Sequence, residues 1–466
     1  MTDLPPGWRK ARLGEIAEIS TGLTPATSQG AYYGGGIPFV KPPDLMDRPV
    51  AATAQALTEL GAAQVRTVPG DTVLVSCIGV LGKTAITTRD VAFNQQINAV
   101  VFGRDVVPKY GFYACQTLRP YLESVASATT ISIVNKTKFS NAPIPVAPIR
   151  EQYRIVAEIE KHFTRLDASV AALNRLQVHL RRYRAAVLKA ACEGRLVVRD
   201  VTAPREGGRE FERGTELVQR ILAERRGAWL ATKLARRYED PAEPNTAALP
   251  RLPEGWAWAT AEQVSDASRA ITYGVIKLGD PVEDGVPTLR SSDVRHLRLD
   301  LTGVKRIAPV IAANYRRTFL TGGEVLVTVR GTLGGVVVAP SRCRGFNVSR
   351  EVAVIALVDS RIGPCVALFI ASPFVQAWLK RRAKGVAYTG INIETLRQMP
   401  IPIPPLSEQR RIVTEAESNL SEIEALEATV AASLTRAAKL RSAILRAAFD
   451  GRLFPAPTDH ALAVAR

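Results

Sequence analysis

Two hydrophobic periods divide this chain, an alternation of about two residues in some stretches and a heptad in others. Between Trp8 and Pro148, β-branched runs such as "DTVLVSCIGV" (71–80) and "INAVVF" (97–102) are punctuated by Gly, Pro, Asn and Asp. That texture predicts short strands in a mixed α+β domain. It returns over 252–404 in "EVLVTV", "GGVVVA" and "EVAVIALV". From Val156 the period changes. Val156, Ile159, Phe163, Leu166, Val170, Leu173, Leu180, Val187 and Ala191 fall on heptad a and d positions, with Gln177 and Arg184 the polar members. A second set, displaced by 257 residues, runs Val413, Ala416, Leu420, Ile423, Val430, Leu434, Ala437, Ile444 and Ala448, with Glu427 and Arg441 polar. Each set predicts a long helix with one narrow apolar seam that needs a partner. Arg184 and Arg441 share a seam position. Either a polar site there sets register or meets an outside acidic group, or the arginines snorkel past the core.

The displacement marks a duplication. "PIPVAPIREQYRIV" (143–156) answers "PIPIPPLSEQRRIV" (400–413), and the match continues without a gap from Asn135 and Asn392 to "GRL" at 194–196 and 451–453. Upstream, "LPPGW" (4–8) answers "LPEGW" (252–256) and "VLVSCIGVLG" (73–82) answers "VLVTVRGTLG" (325–334), with drifting offsets that surface loops of unequal length produce. The unit is a variable β-rich domain followed by a strictly kept helix. One copy has Ser407, a helix N-cap type, where the other has Arg150, which predicts unequal helix starts. Residues 209–238 predict a further helix, and the Pro-rich "EDPAEPNTAALPRLPEGW" that follows marks the next domain boundary. A helix over 156–191 would be about 54 Å long. Paired antiparallel, the two would carry a globular domain at either end.

At 466 residues the chain exceeds one core. Its 61 Lys+Arg against 44 Asp+Glu give +17, which favours a polyanionic partner. Segments 150–199 and 252–404 carry +6 and +7 of that excess. Five cysteines without a C-x-x-C pair predict reduced thiols rather than disulfides or a zinc site. The absence of an apolar h-region near "MTDLPPGWRK", and of any apolar run of ~20 residues, leads to an expectation of a cytoplasmic protein.

Catalytic motifs fail on inspection. "GVLGKT" (79–84) ends like a P-loop, but the first glycine would fall on Cys77 and the repeat reads "GTLGGV"; a glycine turn between two strands explains both. "KPPDL" (41–45) has Lys41 and Asp44 where an amino-methyltransferase motif needs an acceptor and an aromatic, and its counterpart is "RSSDV" (290–294). His162, His179, His296 and His460 make no ligand spacing. No catalytic residue and no metal site is expected.

The duplicated "P-I-P-x-P-P-L-x-E-Q-x-x-I-V" helices closing in "GRL", each behind a variable domain opening with "LPxGW", resemble the specificity subunit of Type I restriction-modification enzymes along nearly the whole chain. The resemblance implies two mixed α/β target recognition domains joined by two long helices in an antiparallel coiled coil, a pseudo-twofold internal repeat. The expected domains are 1–147 and 252–404 for recognition, 148–199 and 405–454 for the repeated spacer helices, 200–251 for a central linker and 455–466 for a tail. Each recognition domain is expected to read one half of a bipartite double-stranded DNA site, while the helices set the spacer and dock two methyltransferase subunits. Restriction subunits are possible further partners. This chain would hold no cofactor, and S-adenosylmethionine would sit on the methyltransferase subunits.

Recognition residues do not carry over by motif, because these domains vary. Base-edge chemistry and loop placement suggest Tyr32, Tyr33, Lys41, Asn94, Gln95, Gln96, Asn135 and Lys136 in the first domain. In the second they suggest Tyr273, Lys277, Arg290, Arg330, Asn347, Ser349, Arg350 and Asn392, with the basic run Lys380, Arg381, Arg382 and Lys384 for phosphates. Asn94 is matched with Asn347 and Asn135 with Asn392, and such shared residues weigh toward structural roles. Two other readings stay open. A DNA methyltransferase with an unrecognised site would bind S-adenosylmethionine alone; a coiled-coil DNA-binding scaffold would show salt dependence without sequence preference.

Overall fold

The opening and exit motifs of each repeat meet as a strand pair. Arg9–Arg12 runs antiparallel to Pro143–Val146, and Ala257–Thr260 antiparallel to Pro400–Ile403. In this computed structural model, which describes residues 4–127, 131–197, 212–232, 237–383 and 390–454, the chain forms two units. One comprises 1–175 with 430–466 and the other 176–429. Each long helix therefore contributes one part to each unit.

In the first unit a five-stranded sheet has the order Ala17–Thr21, Ile97–Phe102, Val73–Ser76, Thr84–Thr87, Arg48–Val50. Val73–Ser76 and Thr84–Thr87 are buried at every position, as strands covered on both faces should be. Helix Pro108–Gln116 packs on them. A second sheet pairs Tyr33–Val40 parallel to Val91–Phe93. The second unit repeats this plan with Thr272–Tyr273, Val352–Ile355, Val325–Thr328, Val336–Val338, covered by helix Gly363–Ile370. Its Val286–Leu289 pairs parallel to Asn347–Val348. The "GVLGKT" and "GTLGGV" stretches are the expected turns between strands. Gly79, Gly82, Gly331 and Gly334 all adopt positive φ there.

The long helices span Ile149–Cys192 and Leu406–Phe449, 44 residues each. Every expected seam position is buried or half-buried, while their helical neighbours are mostly exposed. Within the first unit Arg441 stacks 3.9 Å over the Phe163 ring and its Nη1 donates to Asp167 at 2.8 Å. Within the second, Arg184 Nη2 donates to Glu427 at 3.0 Å and Nη1 lies 3.8 Å from Glu424. The two arginines share a seam position but not an environment, because Glu427 stands on the seam of one copy where Val170 stands on the other.

Two expectations are corrected. Ser407 is not an N-cap: the helix already begins at Leu406, and the two helices start at equivalent residues. The prolines before Ile149 and Leu406 set the backbone, and a glutamine amide does the bonding. Gln152 Nε2 donates to the Ala147 carbonyl, and Gln409 Nε2 to that of Pro404, each at 2.8 Å. The helix expected over 209–238 spans Gly214–Ala231. Of the expected segments, 198–211 and 455–466 lie outside the described residues.

The joint also explains "LPxGW". Trp8 Nε1 donates to Glu151 and Trp256 Nε1 to Glu408, each at 3.0 Å, so the duplicated Glu-Gln pair of each helix holds both ends of its domain. The "GRL" glycines close on the other copy's opening. Gly194, at φ +63, packs against Pro253 and Trp256, and Gly451, at φ +71, against Pro5. A side chain at either position would meet a proline ring and an unfavourable φ together.

Buried carboxylates in the second unit make its stability depend on acid. Burial works against the charge of Glu324, but the hydroxyl and amide of Thr321 and the Arg269 guanidinium outweigh it and hold the group below the ordinary range. Asp359 is drawn down to about 2, chiefly by Arg361, with Arg220 of helix Gly214–Ala231 adding to it. Depressed values contribute stability above the unfolded-state pKa and lose it as pH falls through the folded value. The second unit is thus expected to weaken between about pH 4 and pH 2. Arg269→Ala, which strands Glu324 at 2% side-chain exposure, should cost about 3 kcal/mol at neutral pH and less in acid. Urea unfolding at pH 7 and pH 3.5 tests this; a penalty that grows in acid contradicts it.

Candidate nucleic-acid interface

The loops at one end of the strands in each unit are built to the same plan. In the first unit, the amide of Lys41 donates to Asp44 Oδ2 at 2.8 Å, and in the second that of Arg290 donates to Asp293 Oδ2 at 2.8 Å. "K-P-P-D" and "R-S-S-D" are therefore the same carboxylate-capped turn. Behind each turn, Asn94 N–H bonds the Val40 carbonyl and Ser349 N–H the Leu289 carbonyl. Cys77 N–H bonds Gln96 O, and Val329 N–H bonds Glu351 O. These bonds fix the equivalence of the two domains residue by residue. Asn94 corresponds to Ser349, not to Asn347, which corrects the sequence match. The loop before this strand is three residues longer in the second domain, which moves the offset from 252 to 255.

Several candidates are committed to the fold. Asn347 is fully buried; its Oδ1 accepts from Thr318 Oγ1 at 2.6 Å and its Nδ2 donates to the Tyr315 carbonyl. Asn94 is buried and its Nδ2 donates to Gln96 Oε1 at 3.0 Å. Ser349 is buried and accepts from the Glu351 amide. Asn135 and Asn392 cap the short helices Lys136–Ser140 and Ile393–Arg397 in the same way. Tyr33 is half-buried and its hydroxyl donates to Pro25 O at 2.8 Å; Tyr32, also half-buried, accepts at its carbonyl from the Thr58 amide.

Others form a polar rim. In the second unit Arg330 lies 5.6 Å over the Tyr273 ring. Arg290 also donates to Gly303 O at 3.2 Å, and Glu351 Oε2 accepts from the Ser291 amide and hydroxyl. The Arg350 amide bonds Val275 O at 2.8 Å, two residues from exposed Lys277. These bonds tie Tyr273, Lys277, Arg290, Arg330 and Arg350 to one set of adjoining loops. In the first unit Lys41 sits 5.5 Å from the Phe39 ring, Gln95 and Lys136 are exposed, and Thr24 donates to Gln95 Oε1. Lys380, Arg381 and Arg382 are exposed at the end of helix Pro373–Arg382, with Arg382 4.1 Å over Trp378; Lys384 lies outside the described residues. Burial, then the charges of Arg184 and Lys380, hold His296 below its ordinary range, so it is neutral at pH 7. Sequence reasoning missed Asp44, Asp293, Thr24 and Glu351, which position the rim. The aspartates at the same place in "KPPD" and "RSSD" were the available signal.

No constellation for chemistry is present among the described residues. Among those residues no group of three His, Cys, Asp or Glu could hold a metal ion. All five cysteines are free and buried, and burial pushes Cys77 and Cys192 up to about 12, far from a nucleophilic thiolate at pH 7. No single described helix is long and apolar enough to cross a membrane.

A family model, the Type I restriction modification DNA specificity domain, matches residues 5–176 and 286–434. The chain belongs to this family. The matches cover the first variable domain, the second from residue 286 onward, and most of each long helix. Among relatives, the Type I restriction enzyme EcoBI specificity subunit of Escherichia coli is 24% identical over 450 residues, 96% of this chain and 86% of that protein. The EcoDI specificity subunit of Escherichia coli is 22% identical over 97% of this chain and 89% of its own length. The HindI specificity subunit of Haemophilus influenzae is 28% identical over 169 residues, 34% of this chain and 37% of that protein. A solved chain from a study of the assembly and conformational transition of the type I R-M system superposes with a TM-score of 0.61 at 20% identity, covering 97% of this chain and 100% of that one. As a Type I specificity subunit, the chain is a DNA-specificity component and not a catalytic one.

Proposed function

We propose that each variable domain reads one half of a bipartite double-stranded DNA site, and that the long helices set the distance between halves and dock methyltransferase subunits. The observation that carries this reading is the doubled joint. The same Trp–Glu bond and Gln–carbonyl bond fasten each variable domain to its helix, so the domains differ in their loops but are mounted alike. The helices pair antiparallel as a coiled coil in this reading. Asp167 meeting Arg441, and Arg184 meeting Glu427, support that sense, because the residue numbers rise along one helix as they fall along the other. A helix of 44 residues is about 66 Å long, enough to span half-sites one DNA turn, ~34 Å, apart.

S-adenosylmethionine and adenine chemistry belong to the partner methyltransferase subunits, of which the duplicated helices offer two equivalent docking places. Restriction subunits join through that assembly, and the complex works in the cytoplasm. The exposed members of the rim, Gln95, Lys136, Lys277, Arg330 and Arg350, together with half-buried Lys41, make the DNA contacts, and Lys380, Arg381 and Arg382 meet phosphates. Co-expression with the neighbouring methyltransferase and genome-wide mapping of methylated adenines should return one motif with two defined halves and an unspecified spacer. A single uninterrupted motif, or methylation without sequence preference, contradicts the proposal.

A further inference from the structure

One position is alike in place and unlike in chemistry. The turn after Asn94 is made by Gln95 and Gln96, and the turn after Ser349 by Arg350 and Glu351. The equivalence is fixed by backbone bonds on three sides. Asn94 and Ser349 bond the preceding strands at Val40 and Leu289, and Gln96 and Glu351 accept from Cys77 and Val329. On the third side Leu23 bonds Phe93 O and Val275 bonds Val348 O. Gln95 and Arg350 are therefore the same residue of the two domains, each exposed at the tip of a tight turn held on strands.

Their neighbours are more fully engaged than they are. Arg290 is paired with Asp293 at 3.3 Å, Arg330 lies over Tyr273, and Gln96 accepts from Asn94. The Arg350 guanidinium has no partner among the described residues. Gln95 accepts one bond, from the Thr24 hydroxyl, which steadies its amide; its oxygen keeps a second lone pair and its Nε2 is unengaged. The counterpart of Thr24 is Ile276, which offers Arg350 no such bond. An arginine fork matches O6 and N7 of guanine, whereas a glutamine amide accepts from N6 and donates to N7 of adenine.

Resting on the DNA-reading role above, we propose that Gln95 and Arg350 are equivalent specificity-determining residues, Gln95 reading an adenine in one half-site and Arg350 a guanine in the other. Each acts in the major groove from the same place in its domain. The amide and the guanidinium are exchangeable between the two turns, because what surrounds them is the same backbone frame.

The test uses the full chain in complex with its methyltransferase subunits. Adenine methylation is mapped genome-wide for the unaltered chain, Gln95→Arg and Arg350→Gln, and binding of each purified complex is measured on duplexes carrying all four bases at the affected position. Arg350→Gln should lower methylation at the original guanine-containing sites about ten- to a hundredfold, shift that one position toward adenine, and leave the other half-site intact. Gln95→Arg should do the converse in the other half. A two-part motif that survives both substitutions unaltered overturns the proposal. So does a loss spread over both halves, or a weakening that is equal for all four bases, which would make these residues phosphate contacts. An unaltered chain that directs no two-part motif overturns the DNA-reading role itself, and the proposal with it.

Discussion

Insertion of four residues after Leu173 is expected to abolish methylation at the natural site or to lengthen its spacer by about two base pairs. Four residues add about 6 Å of helix and rotate everything beyond by about 40°. The rise corresponds to nearly two base-pair steps of ~3.4 Å. The rotation is the more damaging change, because Val170 and Leu173 lie on the seam before the insertion, and Gln177, Leu180 and Arg184 lie on it afterwards. Arg184 would leave Glu427, and the seam on one side would turn toward water. Insertion of seven residues, a full heptad, should keep the seam and be the gentler variant despite its greater length. Methylome mapping separates the two. The ruler idea does not survive if the four-residue insertion leaves spacer and affinity unchanged.

Gln152→Leu should destabilise the first unit by about 3 kcal/mol or more, and Gln409→Leu the second by about 1 to 2 kcal/mol. The two glutamines are the same residue of the repeat, but they do unequal work. Gln152 is fully buried; its Nε2 donates to both Asp105 O and Ala147 O at 2.8 Å, and its Oε1 accepts from the Val107 amide at 2.8 Å. Leucine in its place takes the partner from three main-chain groups, the buried Ala147 carbonyl and the part-buried Asp105 carbonyl and Val107 amide. Gln409, at 2% exposure, donates to Pro404 O, and its Oε1 has no partner, so less is lost. Hydrogen exchange reads each unit separately, as protection of Val73–Ser76 in one and Val325–Thr328 in the other. Equal losses in the two units would show that the extra bonds of Gln152 carry no net stability.

Local chemistry explains why the architecture was legible. A heptad seam is a property of neighbours three and four apart, so the burial of Phe163, Leu180, Leu420 and Val430 followed from spacing alone. Glycine turns behaved likewise, because φ at Gly79 and Gly331 is a local demand. Helix starts were less legible. Ser407 looked like a cap by residue type, yet the bond to the chain before the helix comes from a glutamine further on, Gln409. Residue type named a candidate and geometry chose another.

The candidate site was legible as a set of loops and not as a set of contacts. Polar residues with base-reading chemistry were found at the turns, including Gln95 and Arg350. Sequence could not separate them from Asn347 and Ser349, which have similar chemistry and are buried. Nor could it align them across the repeat, because loops of unequal length break the offset that the helices keep.

By itself the sequence determined that one two-part unit is written twice, that each copy ends in a helix with a single seam, and that the catalytic motifs tested are incomplete. These depend on spacing within short windows. Only the tertiary structure decided which partners meet: Trp8 with Glu151 across 143 residues, Arg184 with Glu427 across 243, and Gly194 with the opening of the second domain. Such pairings are set by how strands and helices pack, and no local period encodes them. The equivalence of Gln95 with Arg350 is of the same kind, since it rests on backbone bonds to strands that lie far away in the chain.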